Sequence, residues 1–193
     1  PPTKSDGNGF MNVFLTALSN QKNRKAGQSY LDVAAAKHGT EAVEASKAVL
    51  DIAKLFAAIS VFWALFDQHG SSWVIQANNM NLMFMGMQFE ASQISAWNPI
   101  MVMGLIPLFS MGVYPLLDKL GFQTTPIRRM TLGMFTGALS FGIIAFIQLT
   151  MDTTGEKLNV MWQFFPYLVI TMAEVMISIT GLEFAYTQAP RSM

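Results

Sequence analysis

The sequence contains no cysteine among its 193 residues, which excludes disulfide bonds and thiolate metal sites. Charged side chains make up only 12% of the residues, whereas a soluble domain usually carries about 25%. The formal net charge is zero, so the composition gives no indication of a nucleic-acid partner. The scarcity of charge indicates that much of the surface of this protein does not face water.

Catalytic motifs are also missing from the sequence. No nucleophile–base set and no cluster of metal ligands stands out, and the methionine-rich stretch 80–87 has no imidazole or thiolate cluster beside it that would favour copper. We expect that stretch to be an outer loop or a helix end. We therefore predict a protein that is not an enzyme and that needs neither a metal nor a cofactor.

Residues 1–48 are polar and mixed in sign, and we interpret them as a linker facing the cytoplasm. An apolar stripe at helical spacing predicts a short amphipathic helix near its start. The residues of that stripe are Phe10, Val13, Phe14, Ala17 and Leu18.

Residues 49–193 form the predicted transmembrane domain, because four long apolar segments follow one another in this range. A membrane-spanning helix needs about 20 mostly apolar residues. The predicted spans are about 50–76, 94–118, 127–151 and 161–189. The fold class is therefore all-α, a polytopic transmembrane helical bundle.

The basic residues alternate along the chain in a way that sets the orientation. Eleven of the twelve Lys and Arg residues lie before the first span, between the second and third spans, or after the fourth, and only Lys157 lies in another loop. Cytoplasmic loops are enriched in Lys and Arg. The prediction is that residues 1–48, residues 118–129 and the end of the chain are cytoplasmic.

Small and kinking residues inside the spans predict how the helices pack. Gly133 and Gly137 form a small-xxx-small pair that lets a neighbouring helix approach closely. Pro99, Pro107 and Pro115 lie in or at the edge of the second span, where they should kink the helix.

The first span carries a polar stripe in which Ser60, Trp63, Asp67 and Ser71 follow near-helical spacing, while Phe62, Leu65 and Phe66 point elsewhere. A charge at the centre of a span costs roughly 2.5–3.5 kcal/mol, so such residues are candidates for function. Asp67 is either a gate or proton site in a cavity, or one half of a static ion pair with an unseen helix. Trp63 is either a pocket wall or a packing residue, and the adjacent His69 is most simply structural.

Two carboxylates lie in the fourth span, at Glu174 and Glu183. Burial raises the pKa of a carboxyl group, so a cavity glutamate can carry a proton near neutral pH. We assign this role to Glu183, whose face Tyr186 shares, against the alternative of a structural ion pair with a buried base. Glu174 lies nine residues earlier and half a turn around the helix, so we expect it to make a structural or interhelical contact.

Asn98 precedes Pro99 and has two possible roles. It either caps a helix, or its amide lines the cavity and contacts substrate. No Lys or Arg lies in the core of a span, so this part of the protein is expected to hold an ammonium group or a proton but not, by charge, a carboxylate.

Two long motifs in the sequence resemble those of a known protein family. The run from Phe62 to Trp73 (FWALFDQHGSSW) resembles the seventh transmembrane helix of the proton-dependent oligopeptide transporters, which belong to the major facilitator superfamily. The run from Gly181 to Pro190 (GLEFAYTQAP) resembles their tenth helix, and Gln93–Asn98 is similar to the start of the eighth. The resemblance implies a major-facilitator bundle of which this chain supplies helices seven to ten, in the carboxy-terminal half.

The resemblance also implies import of di- and tripeptides by proton-coupled symport and alternating access, driven by the proton gradient without a cofactor, in the plasma (inner) membrane. Glu183 would couple protons and, with Asn98, hold the peptide amino end; Trp63 and Tyr186 would contact substrate. Asp67 would close the outer gate and contribute to proton coupling by pairing with the amino-terminal half of the same protein. His69 departs from a family position that is often Gln. Two alternatives stay open: a transporter of the same fold for nitrate or a metabolite, or a membrane subunit, such as a channel, that is not a transporter.

Overall fold

The computed structural model of the protein describes residues 9–24 and 27–188, and most of these residues are helical. The prediction of an all-α polytopic bundle is confirmed. The described α-helices are α1 (Phe10–Ser19), α2 (Ala35–Phe66), α3 (Ser72–Asn78), α4 (Ala91–Ser95), α5 (Trp97–Pro107), α6 (Tyr114–Lys119), α7 (Pro126–Thr154) and α8 (Phe164–Gln188).

Four stretches of helix are long and apolar enough to cross a membrane. They are Asp32–Asn78, Ala91–Lys119, Pro126–Thr154 and Val160–Gln188. Each overlaps one of the spans predicted from the sequence. Some of the sequence predictions fall on Lys4, Lys25, residue 189, Arg191 and the end of the chain, for which a cytoplasmic position was predicted, and these lie outside the described residues.

The chain divides into two compact units, one formed by the residues up to Ala58 together with those from Phe184 onward, and the other by Ile59–Glu183. The first unit has a small apolar core between α1 and the start of α2. Val13 and Ala17 of α1 are fully buried there against Leu31, Ala34 and Val43. The amphipathic helix predicted near the start of the chain is therefore present, with part of its apolar stripe packed against the rest of the unit.

Helix α8 is the centre of the second unit, because helices on several sides pack against it. Val175 and Met176 of α8 form a buried cluster with Leu105 and Phe109. Gly181 of α8 lies close to Ile59 of α2. A Cβ added to Gly181 would lie 3.3 Å from Cδ1 of Ile59.

Helix α7 packs closely on α8 at the two glycines that the sequence singled out. A Cβ added to Gly133 would lie 2.7 Å from Cγ1 of Ile177 and 3.2 Å from the carbonyl oxygen of Ala173. A Cβ added to Gly137 would lie 3.2 Å from a ring carbon of Phe62 on α2. The predicted close approach of neighbouring helices is confirmed at both positions.

Two of the spans are not regular α-helices. In the first, a 3₁₀ turn over Asp67–Gly70 separates α2 from α3. In the second, a wide π-helical segment at Leu108–Val113 follows Pro107, whose ring nitrogen cannot donate a helix hydrogen bond. The distortion predicted for Pro107 is therefore confirmed.

The methionine-rich stretch between the first two spans is a β-hairpin in a loop. Strands β1 (Met83–Phe84) and β2 (Met87–Gln88) pair antiparallel, and Met85 in the turn has a positive φ of 49°. Asn159, in the loop before α8, holds the hairpin by donating to the Met83 carbonyl at 2.7 Å.

Candidate functional site

The polar stripe of the first span lies on a face that the described helices leave uncovered. Trp63 and Asp67 are exposed on this face, whereas Phe62 and Phe66 are buried against the rest of the unit, as predicted. Leu65, which was predicted to lie with the two phenylalanines, is 49% exposed. Helix α2 therefore presents an amphipathic surface whose polar side is free for contacts beyond these helices.

Trp63 is held on this face by the two buried rings beside it. Its ring centroid lies 5.8 Å from that of Phe62 and 5.3 Å from that of Phe66, both in edge-to-face geometry. Such pairs fix the orientation of an aromatic side chain. Because Trp63 remains 38% exposed, its ring offers a fixed apolar surface next to Asp67.

Asp67 begins the 3₁₀ turn at the end of α2, and its side chain is exposed. Within the described part of the chain, no basic group lies within salt-bridge distance of its carboxylate. This position agrees with a carboxylate that meets a partner from elsewhere in the protein, which is what a gate requires.

Asn98 and Glu174 meet between α5 and α8. The side-chain Nδ2 of Asn98 donates to Oε2 of Glu174 at 2.9 Å and to Oγ1 of Thr171 at 3.1 Å. The interhelical contact expected of Glu174 is thus present. The alternative that Asn98 caps a helix is wrong, because Ala96 is the N-cap of α5 and Asn98 lies inside the helix.

The Asn98–Glu174 pair has the chemistry of an ammonium site. Both side chains are partly exposed, and Glu174 has a second carboxylate oxygen and Asn98 an amide oxygen as further acceptors. An ammonium group donates three hydrogen bonds, and bonds between charged partners are the stronger class.

Glu183 lies instead beside Arg129. Nη1 of Arg129 is 4.0 Å from Oε2 of Glu183, whose side chain is 56% exposed. The guanidinium of Arg129 lies over the ring of Tyr114, 4.2 Å from its centroid. These residues line a cavity of about 210 Å³ between α6, α7 and α8, together with Ser110, Pro115, Asp118, Val175, Ile179 and Thr180.

Arg129 lies at the end of a span, so the prediction that no Lys or Arg lies in the core of a span stands. The basic residue was counted in the loop before the third span, but α7 begins at Pro126 and contains it in its first turn. A cation therefore does lie next to a carboxylate of the fourth span. The sequence left open whether Glu183 forms an ion pair with an unidentified base. In the structure, the basic residue beside Glu183 is Arg129.

Tyr186 and His69 differ in their surroundings. Tyr186 lies one turn beyond Glu183 on α8 and is 82% exposed. His69 is fixed by the backbone, because its Nδ1 lies 2.6 Å from the Phe66 carbonyl oxygen and its own carbonyl accepts a hydrogen bond from Oη of Tyr167. The structural interpretation of His69 agrees with these contacts.

The candidate residues therefore fall into separate groups. Trp63 and Asp67 share the uncovered face of α2, and Asn98 joins Glu174. Glu183 does not join Asn98, because it lies nine residues and roughly 14 Å further along α8 and half a turn around it. The nine-residue spacing of Glu174 and Glu183 was enough to predict that they lie on opposite sides of the helix. The sequence did not indicate that Asn98 contacts Glu174.

No group of three potential metal-ligating side chains was found among His, Asp and Glu in the described residues. Two of the candidate carboxylates have a specific neighbour instead, the Asn98 amide for Glu174 and the Arg129 guanidinium for Glu183. Such pairs can bind cationic groups or take part in proton exchange.

Comparison with known proteins places these features in a family. The sequence model of the POT family (PTR2) matches residues 11–193. The chain is 35% identical to "Peptide transporter 3" of Caenorhabditis elegans over 161 residues, which is 81% of this chain and 23% of the relative. It is 37% identical to "Peptide transporter family 1" of Drosophila melanogaster over 130 residues, which is 67% of this chain and 17% of the relative.

A solved structure resembles the whole chain. The crystal structure of an auto-inhibited POT family peptide transporter superposes with a TM-score of 0.83 at 33% identity, covering 100% of this chain and 45% of that one. The chain thus spans about a fifth of the length of the curated relatives it matches and under half of the solved transporter.

Proposed function

The chain belongs to the POT family, and from that premise we propose that the protein it is part of imports di- and tripeptides by proton-coupled symport and alternating access. The names of the matched relatives, which are peptide transporters, support the substrate class. The four apolar helices support a multi-pass membrane protein. The basic residues of loop 118–129 favour the plasma membrane orientation in which this loop is cytoplasmic.

The observation that supports the proposal is the Asn98–Glu174 contact, because its remaining acceptor oxygens have the chemistry to receive an ammonium group. We assign the peptide amino end to Glu174 and Asn98, in place of the Glu183 and Asn98 combination that the sequence suggested. Trp63 supplies an apolar wall for a peptide side chain, and Tyr186 is the further substrate contact on α8. The peptide carboxylate is left to the amino-terminal half, which also covers the polar face of α2.

Glu183 and Asp67 are the carboxylates that we assign to proton coupling. Glu183 opens onto the cavity beside Arg129, where water can reach it. Asp67 acts as the outer gate by pairing with a basic residue of the amino-terminal half in one conformation and separating in the other. Two rocking halves with a central site are the usual arrangement for this kind of transporter.

The test is uptake of a labelled dipeptide by the full-length protein in proteoliposomes, with and without an imposed proton gradient. The Glu183→Gln variant is expected to lose uphill accumulation, whereas counterflow exchange persists because it needs no net proton movement. Glu156→Gln is the matched control, since Glu156 is an exposed carboxylate in a loop. Undiminished uphill accumulation in the Glu183→Gln variant would contradict its role.

The same preparation separates the rival functions. Competition by unlabelled nitrate or by small metabolites, but not by dipeptides, would identify a transporter of the same fold for another solute. Flux that neither saturates with substrate nor responds to the proton gradient would indicate a channel or a subunit that does not transport.

A further inference from the structure

The loop between the second and third spans exposes several large apolar side chains, although it was predicted to face the cytoplasm. Leu120 is 73% exposed, and Phe122 and Ile127 are also exposed. Gly121, between the first two, has a φ of +84°, which gives the tight turn that projects them outward. Leu120 and Phe122 in the loop and Ile127 in the first turn of α7 together form an exposed apolar patch, which is typical of a surface that contacts a membrane or a partner.

Two basic side chains flank this loop, one at the end of α6 and one in the first turn of α7. Lys119 and Arg128 are both exposed. The guanidinium of Arg128 lies 5.6 Å from the centroid of the Phe122 ring and donates to the Gln123 carbonyl at 3.1 Å. Its charge is therefore held next to the apolar patch.

One carboxylate lies close in sequence to these two cations, and one of its two oxygens is engaged in local hydrogen bonds. It is Asp118, the one carboxylate between residues 116 and 129, and Oδ1 of Asp118 accepts from the backbone nitrogen and the hydroxyl of Thr124 at 2.8 and 2.9 Å. The neighbouring Arg129 turns the other way, toward Glu183. The two consecutive arginines therefore have different contacts: Arg129 lies beside Glu183, whereas Arg128 is exposed, as Lys119 is.

The two helices that this loop joins expose large apolar side chains of their own. Leu116 on α6 is exposed just before the loop, and Phe135 on α7 is exposed two turns after its start. Both helices belong to stretches long enough to span a membrane. The bilayer that covers those helices is therefore the surface that also meets the loop.

We propose that Lys119 and Arg128, with Leu120, Phe122 and Ile127, form a binding site for an anionic phospholipid of the inner leaflet. The three apolar side chains enter the boundary between head groups and acyl chains, and the two cations bind the lipid phosphate. The site goes beyond the proposed transport function, because it depends on the orientation of the chain and not on which solute is carried.

The test measures binding of phosphatidylglycerol and of phosphatidylcholine to the full-length protein in detergent, by native mass spectrometry. The Lys119→Gln/Arg128→Gln variant is expected to bind phosphatidylglycerol about thirtyfold more weakly, with phosphatidylcholine binding unchanged. The charge-preserving Lys119→Arg/Arg128→Lys variant should retain the affinity for phosphatidylglycerol. Lys157→Gln, which removes an exposed lysine from another loop, should retain it as well.

Three results would overturn the proposal. The first is unchanged phosphatidylglycerol binding in the double glutamine variant. The second is an equal loss of binding in Lys157→Gln, which would mean that net charge and not this loop attracts the lipid. The third is displacement of the lipid by soluble glycerol phosphate at equal concentration, which would indicate a site for free phosphate in place of a membrane lipid.

Discussion

The two glutamates of α8 differ in the side chains that contact them, and these contacts determine which role each carboxylate suits. Glu174 accepts a hydrogen bond from the Asn98 amide, which carries no charge, so its negative charge remains available to a ligand. Glu183 has a guanidinium 4.0 Å away, so its negative charge has a partner inside the protein. The two positions therefore suit different tasks, although the sequence offers the same side chain at both.

Replacing Glu174 tests the assignment of the ammonium site. The Glu174→Gln variant keeps the shape of the side chain but removes its charge, so a dipeptide should bind about 10- to 100-fold more weakly. Competition binding with a dipeptide and with its amino-acetylated form measures the effect. The acetylated peptide has no ammonium group and should lose no affinity; an equal loss for both peptides would show that the variant disturbs the fold or another subsite.

Residue roles were only partly predictable from the sequence. The uncovered, polar side of α2 followed from the spacing of Trp63 and Asp67, because one helix determines which of its own residues share a face. The partners of Asn98 and Glu183 did not follow, because they lie on other helices. Pairings between residues 76 positions apart, such as Asn98 and Glu174, depend on how helices rotate against each other.

For the secondary-structure elements, the length of each apolar segment predicted where the membrane-spanning helices lie, but it did not predict where those helices are interrupted. Spans appear wherever about 20 apolar residues succeed one another. The break at Asp67–Gly70 and the hairpin at Met83–Gln88 depend on a few local hydrogen bonds that hydropathy does not report. Pro107 is the exception, because a proline has no backbone N–H to donate and a distortion of the helix was therefore predictable. The π-helical form of the segment that follows Pro107 was not predictable.

The contact between α7 and α8 should be sensitive to a single methyl group. In Gly133→Ala the new Cβ meets Ile177, Met176 and the Ala173 carbonyl, so we expect a loss of about 1–3 kcal/mol of stability. Gly142→Ala on the same helix is the control, because nothing lies within 4 Å of its added Cβ and alanine is the better helix former. Thermal unfolding of the purified protein in detergent measures both; equal melting temperatures would contradict the close contact.

A buried glutamine ties three helices together at the other end of α7 from Gly133. Nε2 of Gln163, which is fully buried, donates to the Trp73 carbonyl at 3.0 Å and to Oε1 of Gln76 at 2.8 Å. Gln76 in turn donates to Oε1 of Gln148 on α7 at 3.0 Å. Such a network fixes the positions of α3, α7 and the segment before α8 relative to one another.

Removing that glutamine should leave buried acceptors unpaired. Gln163→Met preserves the volume of the side chain but not its donor, and we expect it to cost about 1–3 kcal/mol. The exposed Gln88 offers a matched control as Gln88→Met, which should leave the melting temperature unchanged. A melting temperature of Gln163→Met equal to that of the control would show that the network contributes little.

For the whole molecule, the exposed faces of the spans divide into two chemical kinds. The polar stripe at the end of the first span carries Trp63, Asp67 and serines, with Val61 and Leu65 exposed beside it. The exposed face of α7 carries the apolar side chains of Phe135, Leu139 and Phe146. A polar face at membrane depth requires water or a polar partner, and an apolar one is stable in lipid. We expect the first to meet the aqueous cavity and the amino-terminal half, and the second to meet the bilayer.

Single cysteines test this division, because the sequence provides none of its own. Ala64→Cys, placed next to Trp63 on the exposed side of α2, should react with a membrane-impermeant, water-soluble thiol reagent in the full-length transporter freed of its other cysteines. Leu139→Cys on α7 should stay unreacted, although the Leu139 side chain is also exposed in this chain. Rapid labelling at position 139 together with protection at position 64 would reverse the assignment of the faces.

The glycine contact also limits the ways in which this part of the protein can change shape. Sliding α7 by the rise of a single residue, about 1.5 Å, would force Ile177 out of the space that the absent side chain of Gly133 leaves for it. We therefore expect the two helices to move as one block in any change of shape. Any flexing has to occur elsewhere, and the loosened turn after Pro107 is a natural place for it.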